Sequence, residues 1–132
     1  MKYESNGTLK KVLDFEKSSM SLYGWDDTKK LINIYGIASG MKYLHSLNII
    51  HCDLDPYNIF EDEHFFPKIC NFGLSKRIQS NSDNNSPIDR VYGTQMYAPQ
   101  EVLEENYYSK AGDVYSFAMA MYEILTCEIR NK

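Results

Sequence analysis

The hydrophobic pattern of the chain predicts two long helices. The first opens at Asp26 or Asp27 and ends near Asn48, because apolar residues recur there at the i, i+3, i+4, i+7 spacing of one helical face. The residues of this predicted face are Leu31, Ile34, Tyr35, Ala38, Met41 or Lys42, and His45. The second helix, Lys110–Thr126, is apolar on almost all sides, which is typical of a helix surrounded by protein.

Shorter elements lie outside these two helices. Thr8 is placed to cap a short helix whose pattern runs through Leu9, Val12, Leu13 and Glu16. The brief apolar runs that predict strands are 49–50, 58–60 and 67–70. The stretches predicted to be loops or polar turns are 18–25, 61–64 and 79–89. The last of these, QSNSDNNSPID, is polar throughout, which predicts a flexible surface loop inside the domain.

The composition fits one soluble domain. The chain has 132 residues, of which 43% are hydrophobic and 24% charged, and its net charge is −4. Because the sequence has no basic stripe, we expect neither nucleic acid nor a membrane as a partner. The N-terminal residues contain no apolar signal core, and the three cysteines have no metal-ligand spacing. We therefore expect a reduced protein of the cytoplasm or the nucleus.

Residues 51–60, HCDLDPYNIF, have the densest set of chemically active side chains. A histidine, two aspartates and an asparagine occur within 51–58, a density that a structural loop rarely needs. Carboxylate and amide oxygens suit a site that holds a metal-bound phosphate and takes a proton from a hydroxyl group. For Asp53 taken alone, a second interpretation stays open, in which its carboxylate accepts backbone N–H bonds and stabilises the loop.

Three motifs in chain order resemble those of the eukaryotic-type protein kinase domain, of the serine/threonine or tyrosine-kinase-like kind. Residues 51–58 fit the H-x-D-L-x-x-x-N pattern of the catalytic loop. Asn-Phe-Gly at 71–73 stands where the family carries Asp-Phe-Gly. GTQMYAPQE at 93–101 resembles the end of the activation segment. The stretches 38–45 and 113–117 are similar to the helix before the catalytic loop and to the start of the central helix.

The resemblance implies a fold and a domain organisation. It covers 1–132 as one partial protein kinase domain, from the hinge to the central buried helix. The implied fold class is α+β and mainly α-helical, a kinase-like large-lobe fragment with short β-hairpins around the catalytic loop and with the small lobe absent. Within this fragment, 79–89 is expected to be a flexible loop of the activation segment.

The same resemblance implies roles for four residues. Asp53 is the expected catalytic residue, which accepts the proton of the substrate hydroxyl. Asn58 and Asn71 are expected to hold Mg²⁺, and Asp55, Asn58 and Asn71 are expected to lie at the bound ATP. The implied reaction is ATP-dependent phosphoryl transfer to serine, threonine or tyrosine side chains, so that a protein is the expected substrate.

Several residues depart from the family pattern. Asn71 replaces a carboxylate that binds Mg²⁺ better than an amide does. Asp55 stands where the family carries a lysine or arginine, and Cys52 replaces an arginine that pairs with a phosphorylated activation loop. Neither a G-x-G-x-x-G loop nor a Val-Ala-Ile-Lys strand occurs in the sequence. We therefore expect the isolated chain to be inactive.

Two further interpretations compete with that of a kinase fragment. One is a non-catalytic pseudokinase module that binds another protein. It is favoured by the altered metal site, and because Lys110–Thr126 would expose part of its apolar surface if the later helices that cover it are missing. The expected partner is then the missing small lobe or another domain. The other interpretation is a truncated gene product without an independent function.

Overall fold

The computed structural model describes residues 6–18, 22–70 and 107–128, and the backbone alone of 76–77, 85–87 and, within the last range, 107–108. The helices are α1 (Leu9–Lys17), α2 (Asp27–Ser46) and α3 (Lys110–Thr126), and a 3₁₀ helix spans Pro56–Asn58. The strands are β1 (Ile49–Ile50), β2 (Ile59–Glu61), β3 (Pro67–Ile69), β4 (Lys76–Arg77), β5 (Asn85–Pro87) and β6 (Tyr107–Ser109).

The strands form three antiparallel pairs, β1 with β4, β2 with β3, and β5 with β6. The β2–β3 hairpin follows the 3₁₀ helix directly and aligns Ile59 with Ile69 and Glu61 with Pro67. The predicted fold class is confirmed, because the described residues are mainly helical and the short strands β1 and β2, each in an antiparallel pair, flank the loop at 51–58.

Two predictions fall wholly or partly outside the described residues. Asn71 and the predicted end of the activation segment at 93–101 lie outside them. Of the loop predicted at 79–89, the structure describes the backbone of Asn85–Pro87, which forms β5 and pairs with β6. The flexibility of that loop stays a prediction.

Polar caps set the helix ends. Thr8 caps α1 with its side-chain oxygen, as the sequence predicts, and Asp26 caps α2 in the same way. The end of α2 is at Ser46, slightly before the predicted position near Asn48. The bounds of α3 are those predicted, with Ser109 as its N-cap.

The three helices, β2 and the loop after β1 share one hydrophobic core. Its buried members are Leu9, Leu13, Ile37, Met41, Leu54, Ile59 and Ile124. A buried ion pair also joins α1 to α3, with Lys10 Nζ at 2.6 Å from Glu123 Oε2. Burial opposes the charge of Lys10, but the Glu123 carboxylate outweighs burial and raises the pKa of the lysine.

The apolar face predicted for α2 is wrong in part. Leu31 and Tyr35 are 64% and 77% exposed, and Ala38 and Lys42 are exposed as well. Of the predicted set, Met41 is buried, Ile34 packs against the core and His45 is half-buried. The buried residues of α2 are Asn33, Ile37 and Met41.

Two glycines explain which face of α2 packs inward. A Cβ atom at Gly36 would lie 2.8 Å from the Pro67 side chain, and one at Gly40 would lie 2.8 Å from the Ile69 side chain. The hairpin therefore approaches α2 so closely that positions 36 and 40 have no room for a side chain. Because 36 and 40 are about one turn apart on the helix, they turn the Ile37 face toward the core.

The polar turn predicted at 61–64 starts one residue too early. Glu61 is the last residue of β2 and its side chain is fully buried. Its backbone N–H donates to Gly7 O at 2.8 Å, and its carbonyl oxygen accepts from Asn6 N at 3.2 Å. Residues 6–7 thus add a second backbone partner to β2, on the side opposite to β3.

α3 is buried on one side and exposed on the other. Its buried residues are Gly112, Asp113, Ser116, Met119, Ala120, Glu123 and Ile124. On the other side, Val114 and Leu125 are 58% and 54% exposed. The prediction that α3 exposes part of its apolar surface is confirmed. Within the described ranges, none of the helices has the length and apolar character needed to cross a membrane.

Candidate active site

A carboxylate of α3 holds the loop that contains the candidate residues. Asp113 is buried, and its two oxygens accept the backbone N–H groups of His51 at 2.8 Å and of Cys52 at 3.1 Å. Asp113 Oδ2 also lies 2.9 Å from His45 Nε2 on α2. These contacts fasten the start of the loop at 51–58 to both long helices.

The backbone at Cys52 needs this support. Its φ of 74° lies in the left-handed region, which residues with a Cβ atom rarely adopt. The Cys52 Sγ lies 3.5 Å from Ile50 O, a weak hydrogen bond that adds little. The bond from Cys52 N to Asp113 therefore stabilises a conformation that the local sequence disfavours.

His51 connects the loop to the end of the β2–β3 hairpin. The imidazole is fully buried, its Nδ1 accepts the backbone N–H of Asp53 at 3.1 Å, and its Nε2 lies 2.9 Å from Cys70 O. Since Nδ1 is an acceptor, Nε2 carries the proton and donates to Cys70 O. His51 is therefore a positioning residue that fixes the backbone of Asp53.

The structure brings Asp53 and Asn58 together. Asn58 Nδ2 donates to the Asp53 carbonyl oxygen at 2.6 Å, and Asn58 O accepts the N–H of Cys70 at 2.8 Å. Because the amide nitrogen is bonded to the loop, the amide oxygen is the Asn58 atom suited to bind a cation. Asn71 follows Cys70 in the chain and lies outside the described residues, so its metal-binding role stays a prediction.

Asp55 caps the 3₁₀ helix. It is 1% exposed, its Oδ1 accepts the N–H of Tyr57 at 2.8 Å, and Pro56 occupies the next position, which needs no N–H donor. The Asp55 carbonyl oxygen accepts the N–H of Asn58 at 3.0 Å. These bonds shape the turn that returns Asn58 to Asp53. The role at ATP that the family resemblance implies for Asp55 stays a prediction.

The oxygen donors of the loop suit Mg²⁺ in the company of a phosphate. Mg²⁺ prefers oxygen ligands and is commonly bound by one or two protein groups together with water and substrate phosphates. The amide oxygen of the buried Asn58 is a donor of this type, and the half-buried Asp53 lies in the same loop. Across 6–18, 22–70 and 107–128, no three His, Cys, Asp or Glu side chains form a cluster that could hold a metal ion. The Asn58 amide oxygen suits an ion whose other ligands come from a phosphate and water.

Sequence reasoning missed Asp113 and His45 as parts of this site. Asp113 was predicted only to mark the start of a buried helix, and His45 to be a packed residue of α2. A signal for Asp113 exists, because it is the acidic residue in the first turn of a helix that is otherwise mostly apolar. A buried carboxylate needs partners, and here the partners are backbone N–H groups of the loop.

Comparison with known proteins agrees with this geometry. The family model described as protein kinase domain matches residues 1–130. The chain is 36% identical over 130 residues to the probable serine/threonine-protein kinase drkC of Dictyostelium discoideum, a match that covers 97% of this chain and 17% of that protein. It is 40% identical over 124 residues to the G-type lectin S-receptor-like serine/threonine-protein kinase SD1-1 of Arabidopsis thaliana, covering 88% and 15%.

A viral protein is similar as well. The chain is 42% identical over 99 residues to the putative serine/threonine-protein kinase/receptor R831 of Acanthamoeba polyphaga mimivirus, which covers 74% of this chain and 6% of that protein. The chain thus spans between 6% and 17% of the length of these three relatives. The family model covers nearly the whole sequence, and the motif at 51–58 has the folded geometry just described. The chain belongs to the protein kinase family.

Proposed function

We propose that this chain carries the proton-accepting and metal-binding part of a protein kinase active site, which transfers phosphate from ATP to a hydroxyl group of a protein. The observation that supports this most directly is the 2.6 Å bond from Asn58 Nδ2 to the Asp53 carbonyl oxygen. It lies in a loop that Asp113 and His51 hold. The names of the three relatives favour serine and threonine over tyrosine as the acceptors.

In this proposal, Asp53 accepts the proton of the substrate hydroxyl group. A general base must lie within hydrogen-bonding distance of its proton, and the bond from Asp53 N to His51 fixes where the Asp53 side chain starts. Asn58 and Asn71 would hold Mg²⁺ through their amide oxygens. A bound Mg²⁺ supplies positive charge that neutralises the phosphate oxygens.

We also propose that the 132 residues do not catalyse the transfer by themselves. Asn71 offers the metal a neutral amide where a carboxylate binds more strongly. Cys52 and Asp55 replace residues that are positively charged in the family pattern. The lysine that contacts the phosphates of ATP in active members comes from a Val-Ala-Ile-Lys strand, which this sequence does not contain.

A phosphate-transfer assay tests both statements. The wild-type chain and the variants Asp53→Ala, Asn71→Asp and Asp53→Ala/Asn71→Asp are incubated with radiolabelled ATP, a general protein substrate and Mg²⁺ or Mn²⁺. We expect the wild-type chain to incorporate no more phosphate than Asp53→Ala. Incorporation by the wild type that Asp53→Ala abolishes would contradict the proposed inactivity.

The variants also test the role of Asp53. If Asn71→Asp gains activity, the double variant must lose it, since a stronger metal site still needs the proton acceptor. Activity that survives in the double variant would contradict the role of Asp53. A thermal-shift measurement with Mg-ATP is the matching binding test, for which we expect no stabilisation of the wild-type chain.

A non-catalytic module that binds another protein is the second candidate function, and the surface of α2 and α3 favours it. An open cavity of about 240 Å³ lies between the two helices. Its lining residues are Ala38, Met41, Lys42, His45, Asp113, Val114 and Phe117. Exposed apolar surface of this kind is typical of protein interaction sites. Because the three cysteines form no disulfide bond with one another, we propose that either function is exercised in the cytoplasm or the nucleus.

The second candidate function predicts a partner that depends on Val114. An immobilised wild-type chain should retain a specific protein that Val114→Glu loses and that Lys17→Glu, at the end of α1, keeps. Val114 and Lys17 are both exposed, so neither change should unfold the chain. A wild-type chain that is monodisperse and retains no Val114-dependent protein would count against this function.

A further inference from the structure

Three buried side-chain oxygens in the described ranges have no hydrogen-bond partner. They are Asn33 Oδ1 and both carboxyl oxygens of Glu61. The two side chains lie together between α2 and the β2–β3 hairpin, and both are 0% exposed. Burial raises the pKa of Glu61 by more than the Asn33 amide lowers it. A buried carboxylate without a donor is strongly disfavoured relative to one in water. Buried polar groups are usually hydrogen-bonded, and these three oxygens lack a donor unless Glu61 is protonated.

The orientation of the Asn33 amide is fixed. Its Nδ2 donates to the carbonyl oxygens of Lys29 and Phe65, at 3.0 Å each. Exchanging the nitrogen and oxygen would place Oδ1 against two carbonyl oxygens, which repel it. Both N–H groups of Asn33 are therefore used, and its Oδ1 is an acceptor that needs a donor.

The next residue in the chain offers Glu61 no compensating positive charge. Asp62 follows it in the chain and carries the same sign of charge, which disfavours ionisation of Glu61. The Asp62 carboxylate accepts the backbone N–H groups of His64 and Phe66 in the turn. Glu63 and His64 in that turn are exposed and contact each other at 3.6 Å.

The basic residues of the neighbouring elements are directed elsewhere. On α2, the Lys29 ammonium group lies over the Phe66 ring, 4.9 Å from its centre. On α1, the Lys11 side chain extends beside Gly7. On β3, the uncharged Pro67 is opposite Glu61, whereas Lys68 is opposite the neighbouring residue of β2. In the part of the chain that the structure describes, neither Lys29 nor Lys11 donates a hydrogen bond to the Glu61 oxygens.

We propose that Glu61 is a neutral carboxylic acid in the folded chain, that its hydroxyl group donates to Asn33 Oδ1, and that this bond is a pH-sensitive lock between the β2–β3 hairpin and α2. One proton removes the buried charge and gives the Asn33 acceptor its donor. The second Glu61 oxygen is then a neutral acceptor, which tolerates burial better than a carboxylate does. The inference does not rest on the proposed function.

The sign of the pH effect follows from the two states of Glu61. Burial raises the pKa of Glu61 to about 8 in the folded chain, against 4.5 for an ordinary glutamate. Between these values the folded chain binds one proton more than the unfolded chain, so rising pH favours unfolding. The equilibrium constant for unfolding should therefore increase by about tenfold per pH unit from this group alone. The lock weakens as the pH rises toward the folded pKa.

Denaturant titrations of the 132-residue chain and of Glu61→Gln test the lock. Glutamine has the same shape, stays neutral and can donate to Asn33 Oδ1. The ratio of the unfolding constant of the wild type to that of Glu61→Gln should rise by about 100-fold from about pH 5 to about pH 7. Glu63→Gln, in the exposed turn, should follow the wild type at every pH. A ratio that is constant over this range would overturn the proposal.

A direct measurement covers the case in which Glu61→Gln does not fold. The wild-type chain with ¹³C-labelled glutamate side chains is titrated by NMR, and the carboxyl signal of each glutamate is followed as the pH changes. We expect one glutamate to remain protonated at pH values where the exposed glutamates are ionised, with a midpoint near 8. If all glutamate carboxyl signals titrate near their ordinary pKa, Glu61 is ionised in the folded chain and the lock does not exist.

Discussion

The contact of Asp113 with the loop predicts how firmly the candidate site is held. In Asp113→Asn, one of the two oxygens that accept the N–H groups of His51 and Cys52 becomes an NH₂ group. One buried N–H then faces another donor, and the remaining bond loses its charge. Hydrogen bonds to charged groups contribute about 1.5–3 kcal/mol, and an unsatisfied buried N–H costs about 1–3 kcal/mol. We therefore expect a loss of roughly 2–4 kcal/mol in the free energy of unfolding.

Such a loss is large beside the total stability of a domain, which is about 5–15 kcal/mol. Urea unfolding followed by circular dichroism measures it, and amide hydrogen exchange reports the His51 and Cys52 N–H groups individually. Asp14→Asn is the control, because the Asp14 side chain is 61% exposed and should change stability by no more than about 0.5 kcal/mol. A loss below about 1 kcal/mol in Asp113→Asn, with unchanged exchange at Cys52, would refute the assignment of Asp113 as the support of the loop.

Three other contacts give predictions that urea or thermal unfolding can check. Lys10→Met should lose about 3–5 kcal/mol because it removes the cation that pairs with the buried Glu123 carboxylate. Adding Glu123→Leu should recover part of the loss, and a double variant less stable than Lys10→Met would contradict this. The free energy of unfolding of Gly36→Ala should fall by about 1–3 kcal/mol, since its methyl group would lie 2.8 Å from a β3 side chain. A rise of about 1 kcal/mol, as for an exposed helix position, would show that the hairpin moves away to make room for the methyl group. Burial opposes the charge of Glu16, but Lys30 at 2.6 Å lowers its pKa overall, so the stability that Glu16 supplies is present at neutral pH and is lost as the pH falls through the lowered pKa. The stability difference between wild type and Glu16→Gln should shrink from about pH 7 to about pH 3, and a constant difference would be evidence against the ion pair.

The helix ends and the loop motif could be predicted because their determinants are local. Thr8 and Asp26 are short polar side chains in front of helical patterns, and each caps the helix that follows. The loop at 51–58 is contiguous, so its Asp53 and Asn58 could be identified before the fold was known. The reaction implied by the family requires both residue types in one place, and the structure brings them together.

The face of α2 could not be predicted from the apolar pattern because its packing depends on residues without large side chains. Gly36 and Gly40 admit the hairpin, and the polar Asn33 is buried because its amide bonds to two backbone carbonyl groups. Leu31 and Tyr35 suggested the opposite face and are exposed. Counting apolar residues misses a contact surface made of glycines and a satisfied amide.

Long-range polar contacts were also outside the reach of the sequence. Asp113 lies 62 residues after His51 in the chain, and no local spacing links the two. Glu61 was assigned to a turn because a glutamate in a short polar run is most often exposed. In the fold it completes β2, and the backbone of residues 6–7 covers its outer side.

The support of the loop through Asp113 has a consequence for how such sequences change over evolutionary time. Asp113 binds the main-chain N–H groups at positions 51 and 52, which every residue except proline possesses. A substitution at position 52 therefore changes the charge that the loop displays and leaves these two hydrogen bonds in place. Cysteine can stand there in spite of the strained φ because the bonds do not depend on its side chain. The shape of the loop is thus independent of the charge at position 52, and the geometry of the family is compatible with a side chain of different chemistry there.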